Sequence, residues 1–548
     1  MTSAPLGRGR SAGAVARLRG LGPRRPPLAL RLSGLAVAAL MVVPLVYLVV
    51  RAWGGDSGSW ELILRGRTVW LALRSAGLAA AVTAGAVALG VPLAWLTTRT
   101  DLPGRRAFAV AAALPLVIPS YIGAFAILSA LGPRGMLQEM LEGPLGVERL
   151  PDISGFFGAW LALMLFTYPY VFLTVAAGIR GLDPSFEDAG RALGRSPWGV
   201  FRRITLPLLK PSIAAGGLLV ALYTLHDFGA VSLMRFSVFT QAIYLQYRGS
   251  FDRTPAAILS LMLAALAVAV LVLEQSARGR ARYYRSGSGS KKPLGRLELG
   301  RWKLPAVLFC SAVAGVALVL PLSVIGFWLL RGLAAGAPQV AWSAAGASVL
   351  VSAAGATVAV GAALPVALLA ARHPGPGSVV TERLAYSGYA LPGIVVALAF
   401  VFMTTSAVPW LYQSLPLVVL AYVVLFLPQA AEPLRAALLQ VGPRIEEAGR
   451  ALGRSRTTVF VRLVAPLAAR GALAGAALVF LTAMKELPAT LLLRPTGFET
   501  LATRVWTGAT AGLYSNAAVP AALLIAISTV PLYLVARRVE AEAGGGRP

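Results

Sequence analysis

The chain has 548 residues, of which 57% are hydrophobic and 13% charged, against about 45–50% and about 25% in soluble proteins; this composition excludes a soluble enzyme. Its 50 Lys and Arg against 22 Asp and Glu leave +28, an excess that in a membrane protein marks cytoplasmic loops rather than nucleic-acid binding. With Cys310 as the one cysteine and His226 and His373 as the two histidines, neither a disulfide framework nor a Cys/His metal cage can be assembled.

Taken in chain order, residues 1–28 form a basic N-terminal arm, expected to be disordered, that holds six of the seven arginines from Arg8 to Arg31. The next stretch, apolar from about Leu32 to Val50, is longer than a signal-peptide core and lacks a clear small-residue cleavage site, so it reads as a retained first span. A span takes about 20 mostly apolar residues. Apolar runs fall at 29–50, 69–96, 107–131, 156–179, 213–234 and 255–274, then at 304–330, 344–371, 384–405, 414–438, 471–493 and 515–536. The expectation is an all-α membrane protein of about twelve transmembrane helices in two six-helix halves, 29–275 and 304–538, with a tail at 539–548.

The linker, 276–303, surrounds a Ser-Gly-Ser-Gly-Ser stretch with Arg278, Arg280, Arg282, Arg285, Lys291, Lys292, Arg296, Arg301 and Lys303, which makes it flexible and cytoplasmic. Alternating the spans from a cytoplasmic N-terminus puts the basic loops 97–106, 180–212, 276–303 and 439–470, and the C-terminus with Arg537 and Arg538, on the same side. The 132–155 loop, with Glu139, Glu142, Glu148 and Asp152, then falls outside.

The two halves repeat. Glu187-Asp188-Ala189-Gly190-Arg191-Ala192-Leu193-Gly194-Arg195-Ser196 recurs as Glu446-Glu447-Ala448-Gly449-Arg450-Ala451-Leu452-Gly453-Arg454-Ser455, an offset of 259 residues that persists to Pro207/Pro466 and Arg235/Arg494. Such duplication predicts two six-helix units related by a pseudo-two-fold axis with a pathway at their interface. Each copy reads as a helix with Glu187 and Asp188 in its first turn, a break at Gly194, and a second short helix capped by Ser196, opened by Pro197 and ending near Pro207. A water-facing pair of short helices is marginally stable alone, so an element spelled out twice is expected to dock against something.

Ionisable residues also fall inside the fifth span of each half: His226 and Asp227, and Lys485 and Glu486 at the same offset. At 1.5 Å per residue from Ile213, Asp227 lies roughly 20 Å up the helix, where a charge is expensive and should face the interior. Two readings stand: Lys485 pairs with Glu486 or Asp227 and locks the halves together, or the cluster is a gate on the pathway. At the outer mouth, Arg235 and Arg494 either contact an acidic patch on a delivery protein or anchor helix ends.

The loop pattern resembles the cytoplasmic signature of permease subunits of binding-protein-dependent ABC importers: Glu-Ala-Ala, three residues, Gly, nine residues, Ile-x-Leu-Pro. It maps onto Asp188, Ala189, Gly190, Gly194, Ile204, Leu206 and Pro207, and onto Glu447, Ala448, Gly449, Gly453, Leu463, Ala465 and Pro466. The departures are Asp188 for Glu, Gly190 and Gly449 for the second Ala, and Leu463 and Ala465 for Ile and Leu. The phrases Asp227-Phe228-Gly229-Ala230-Val231, Phe239-Thr240-Gln241-Ala242-Ile243-Tyr244, Lys485 to Pro495 and Glu499-Thr500-Leu501-Ala502-Thr503 look like the fused permeases of the ferric-iron uptake branch.

The resemblance implies a type I importer fold in the bacterial cytoplasmic membrane, with both loops docked on two copies of a separate ATPase and an extracytoplasmic binding protein delivering iron(III). Related fused permeases carry thiamine, phosphonates or polyamines. This chain has no Gly-x-x-x-x-Gly-Lys-Ser/Thr motif to cradle nucleotide phosphates, so ATP and Mg belong to the partner and no cofactor is expected here. Few histidines, cysteines and buried carboxylates point to transient contacts with cargo rather than a tight metal site. A proton-coupled carrier relaying protons through His226, Asp227 and Glu486 is the alternative from another class; a membrane-embedded enzyme lacks a visible ligand set.

Overall fold

The computed structural model describes residues 26–54, 60–61, 63, 65–133, 135–146, 150–250, 252–278, 295–334 and 342–544. Most of the basic arm, the linker centre at 279–294, Glu148 and the last four residues lie outside them. Among the described residues the fold is all-helical; extended pairing is limited to one isolated bridge, Thr100 with Leu297.

Nine helices among the described residues are long and apolar enough to cross a membrane: Leu28–Trp53, Gly66–Arg99, Phe156–Gly181, Trp198–His226, Thr254–Leu273, Gly300–Ala334, Trp342–Arg372, Leu415–Gln440 and Thr457–Met484. A bent pair, Arg105–Val117 with Ser120–Glu142, makes a tenth, and the shorter apolar helices Gly393–Ser406 and Tyr514–Val530 occupy the ninth and twelfth expected positions. The twelve apolar runs are therefore all helical, but four of them, the third, fifth, ninth and eleventh, are broken.

The third run breaks at a 3₁₀ turn, Leu114–Val117, and restarts at Ser120 behind Pro119. Proline lacks the N–H that would continue the helix and forces the residue before it out of the helical region. The ninth repeats this, with a 3₁₀ turn Ser387–Ala390 and a restart at Gly393 behind Pro392. The fifth run, expected to be one span over 213–234, ends its helix at His226 and resumes as the short helix Gly229–Leu233; its counterpart ends at Met484 and resumes as Pro488–Leu493.

Contacts group the residues into two compact units. One holds 1–43, 353–389 and 422–480, and the other 44–352, 390–421 and 481–548. Each contains one copy of the same helix pair. In the larger unit, a Cβ on Gly216 would come within 2.7 Å of Val171 Cα; in the smaller, one on Gly475 would come within 2.8 Å of the Ala430 carbonyl oxygen. Both residue pairs are related by the offset of 259. Small residues let backbones approach where lipid offers no hydrophobic drive between helices, so the fourth and fifth spans of each half are pressed together by the same means.

At one end of the larger unit, the residues after the second span meet the end of the linker. Asp101 N–H donates to the Leu297 carbonyl (3.1 Å), Leu297 N–H to the Arg99 carbonyl (3.0 Å), and Leu299 N–H to the Asp101 carboxylate (2.9 Å), which also pairs with Lys303 at 2.8 Å. The Lys303 hydrogen bond, and after it the Leu299 N–H, hold the Asp101 carboxyl below its ordinary value of 3.8. A depressed carboxyl contributes stability that is complete above its unfolded pKa and is lost as pH falls through the folded one. Segment 295–303 should therefore resist proteolysis from neutral pH down through the ordinary carboxylate range, becoming susceptible only in more acidic medium. Limited digestion with an acid-active protease across a pH series reads this directly.

Candidate functional site

Each of the two repeated loops is built as its sequence predicts up to the glycine. In the first, Asp183 caps helix Pro184–Ala192 by accepting from Ser185 N–H (3.0 Å), a cap not picked out from the sequence, and the second begins its helix Pro443–Ala451 behind Gly442. Gly194 and Gly453 stop these helices with φ of +75° and +76°, a left-handed conformation that costs a side-chain-bearing residue about 1 kcal/mol or more. Ser196 and Ser455 then cap the next turn, accepting from Gly199 and Thr458 N–H at 3.2 Å each.

Beyond the serine cap the fold departs from expectation. The second helix does not end near Pro207; it runs on through a π turn, Phe201–Thr205, into Leu206–His226, and the same happens through Phe460–Val464 ahead of Pro466. In the π turn, Leu206 N–H reaches back to the Phe201 carbonyl, five residues away, and Ala465 N–H to Phe460. This wider turn makes room for a proline that would clash with the preceding α turn. The loop is thus continuous with the fifth span, and displacing it displaces that span.

Gly190 and Gly449, which stand where the signature has alanine, serve close packing. A Cβ on Gly190 would lie 2.5 Å from Ile204 Cδ1, and one on Gly449 would lie 2.9 Å from Val459 Cγ2. The two helices of each loop therefore fold hard against each other. Glu187 turns inward: it is buried, pairs with Arg99 at the end of the second span, and accepts from Thr205 Oγ1 at 2.9 Å. Glu446 pairs with Arg372, at the end of the eighth span, at 2.8 Å. The side chains of Arg99 and Glu187 are 4% and 6% exposed, against 13% and 24% for Arg372 and Glu446. Neither arginine stood out in the sequence, since the offset linking them is 273 rather than 259; the mark they share is the last position of a long apolar helix.

Asp188 and Glu447 remain exposed, as do Ala448 and, at the tips, Leu193 and Leu452, which are 81% and 80% exposed. Phe186 and Ile445, again 259 residues apart, are exposed as well.

The membrane charges sit at the breaks. Asp227 Oδ1 accepts from Ala230 and Val231 N–H at 2.9 and 3.2 Å, and its Oδ2 accepts from Ser120 Oγ, which also receives the Tyr223 hydroxyl. Glu486 Oε1 accepts from Ala489 N–H at 3.1 Å. Both carboxylates thus hold the starts of the short helices after the fifth and eleventh spans, satisfying N–H groups that lipid cannot. Ser120 and Gly393 occupy the same position, directly after the break proline; a Cβ on Gly393 would lie 2.4 Å from Glu486 Oε1. The longer acid therefore faces the residue with no side chain.

Lys485 pairs with neither Glu486 nor Asp227: its ammonium donates to the Leu116 carbonyl at 3.0 Å, in the break of the third span. This corrects the salt-bridge form of the lock, and the two halves meet here through a lysine on a main-chain oxygen that the 3₁₀ turn leaves open. His226, the residue equivalent to Lys485, is the last of its helix. Among the described residues, no three His, Cys, Asp or Glu side chains come together in a group that could hold a metal ion.

After the eleventh span, Arg494 is held by its own loop, donating to the Phe498 carbonyl (3.0 Å) and Thr503 Oγ1 (3.1 Å) with Glu499 at 3.9 Å. Arg235 is exposed, with φ of +52°. Of the two, Arg235 is the one left open to solvent.

A polytopic chain with duplicated helix–glycine–helix elements continuous with broken spans is a two-half transport permease. The family model for binding-protein-dependent transport system inner membrane components matches residues 86–282 and 363–541, once in each half, and the chain belongs to that family. It is 34% identical over 94% of its length to the Fe(3+)-transport system permease protein FbpB 2 of Haemophilus influenzae, covering 99% of that protein. It is 24% identical to the putative ferric transport system permease protein FbpB 1 of the same organism, over 74% of this chain and 67% of that one. The molybdenum transport system permease protein ModB of Escherichia coli is 33% identical over 26% of this chain and 60% of its own.

Proposed function

We propose that this chain is the permease of an importer for iron(III) in the bacterial cytoplasmic membrane, with both termini cytoplasmic. A separate ATPase docks one copy on each of the loops 187–207 and 446–466 and supplies ATP and Mg. An extracytoplasmic binding protein delivers the cargo, with Arg235 as a contact and Arg494 as a brace for the surface beside it. The iron reading rests on the full-length likeness to a ferric permease; the molybdenum relatives correspond to between 26% and 45% of the chain.

The observation that carries the docking is the pair of leucines at the loop tips, four-fifths exposed at equivalent positions. A large apolar side chain held out on a basic, water-facing loop loses about 25 cal/mol for each Å² left uncovered, and a matched pair of them marks surfaces that a partner covers. Because each loop continues into a fifth span, closure of the ATPases would pull on the helices that end at Asp227 and Lys485, and the lysine–carbonyl contact between the halves is the element that would break as a gate opens.

Leu193→Asp with Leu452→Asp should abolish co-purification of the ATPase encoded beside this chain and reduce ATP-dependent uptake of iron to background, with the permease still extracted in normal yield. Retention of the ATPase at native stoichiometry would remove the docking reading.

A further inference from the structure

We infer that residues 295–303 are a coupling strap that ties the first ATPase-docking loop to the start of the second half, so that the linker acts mechanically rather than as a tether. Arg99 is the node. Its guanidinium is buried on Glu187 of the loop, and its main-chain carbonyl accepts from Leu297 N–H at 3.0 Å. One residue thus joins the docking element and the linker, with no flexible bond between the two attachments except its own side chain.

The neighbouring contacts close the strap at both ends. Asp101 returns a main-chain hydrogen bond to Leu297 (3.1 Å), making a parallel bridge, while its carboxylate takes Leu299 N–H and Lys303. Lys303 opens the α-helical part of the seventh span. The π turn of the docking loop rests on the same span end, with Phe201 edge-on to Trp95 at 4.6 Å between ring centroids. A displacement of the first loop therefore reaches the seventh span through Glu187, Arg99, Leu297, Asp101 and Lys303, a contiguous chain of paired groups in the larger unit.

The second half has no counterpart among the described residues. Arg372 holds Glu446 and the Val441 carbonyl (2.9 Å), but no extended segment bridges the residues after it. The pair there is also more exposed. The two docking loops are consequently unequal: the first is latched to the opposite half and the second is not.

The strap reading builds on the proposed ATPase docking, and the test separates the two in the full transporter reconstituted with its ATPase and binding protein. Leu297→Pro removes the one N–H that donates to Arg99 while leaving the linker covalently intact. The opposite manipulation, a protease site placed within Ser286–Ser290 and cleaved after reconstitution, breaks the covalent linker and leaves the strap residues in place.

Expected are a fall of about 3-fold or more in import per ATP hydrolysed for Leu297→Pro, native behaviour for Leu297→Val, and unchanged import per ATP after cleavage, with the ATPase retained in every case. Should Leu297→Pro not be obtained folded, Asp101→Ala, which removes the Lys303 and Leu299 contacts from a surface loop, is expected to give the same loss. Native import per ATP from the obtained variant, or a loss confined to the cleaved protein, overturns the strap. Failure of the native chain to retain the ATPase would instead overturn the docking reading.

Discussion

Replacing Arg99 by alanine should lower the stability of the protein by about 3–5 kcal/mol, the usual cost of removing one member of a buried ion pair. Glu187 would be left buried with the Thr205 hydroxyl, and Arg191 at 3.5 Å, for company. Burying a charge without its partner is far costlier than the pair is favourable, because the desolvation of the remaining charge persists while the Coulomb attraction is lost. Replacing both by apolar residues, Arg99→Met with Glu187→Leu, should recover most of the loss.

Thermal unfolding of the purified chain in detergent measures all three variants. The same change at Arg372 should shift the melting temperature less, since water reaches that pair more freely. A native melting temperature for Arg99→Ala would show that the pair is not what holds the loop to the second span.

The second large effect concerns the broken spans. Gly393→Ser should destabilise the protein by about 1–3 kcal/mol, because its Cβ would intrude to 2.4 Å from Glu486 Oε1 and push the carboxylate off the Ala489 N–H. Adding Glu486→Asp should restore stability, since the shorter acid opposite serine reproduces the Asp227–Ser120 arrangement of the other half. The two positions touch, so their effects should be strongly non-additive. A double variant no more stable than Gly393→Ser alone would refute this complementarity.

These two sites differ in how much of them the sequence displays. The repeated loops were legible to the level of individual caps: Gly194 and Gly453 adopt the left-handed conformation, and Ser196 and Ser455 accept the expected N–H groups. Such features are local, decided within a few residues by φ/ψ sterics and short-range hydrogen bonds, so residue order alone specifies them. The fate of Pro207 was not legible, because a π turn and a helix stop differ only in which carbonyl the next N–H reaches.

The membrane carboxylates show the same divide. Their presence and matching positions were plain from the 259-residue offset, and their depth required that they be satisfied. That they cap short helices, rather than pairing with Lys485, depends on where the chain turns after residues 226 and 484.

Membrane character, the twelve apolar runs, the duplication and the paired helix–glycine–helix elements can all be read from residue order, because composition, hydrophobic length and repeated spacing are properties of one dimension. It takes the folded chain to show that Arg99 and Arg372 brace those elements, that Gly393 makes room for Glu486, that Lys485 finds the Leu116 carbonyl, and that the linker bridges Thr100. Each joins residues between 74 and 369 positions apart, where spacing carries no signal and the requirement that buried charges and open main-chain groups find partners selects the contact.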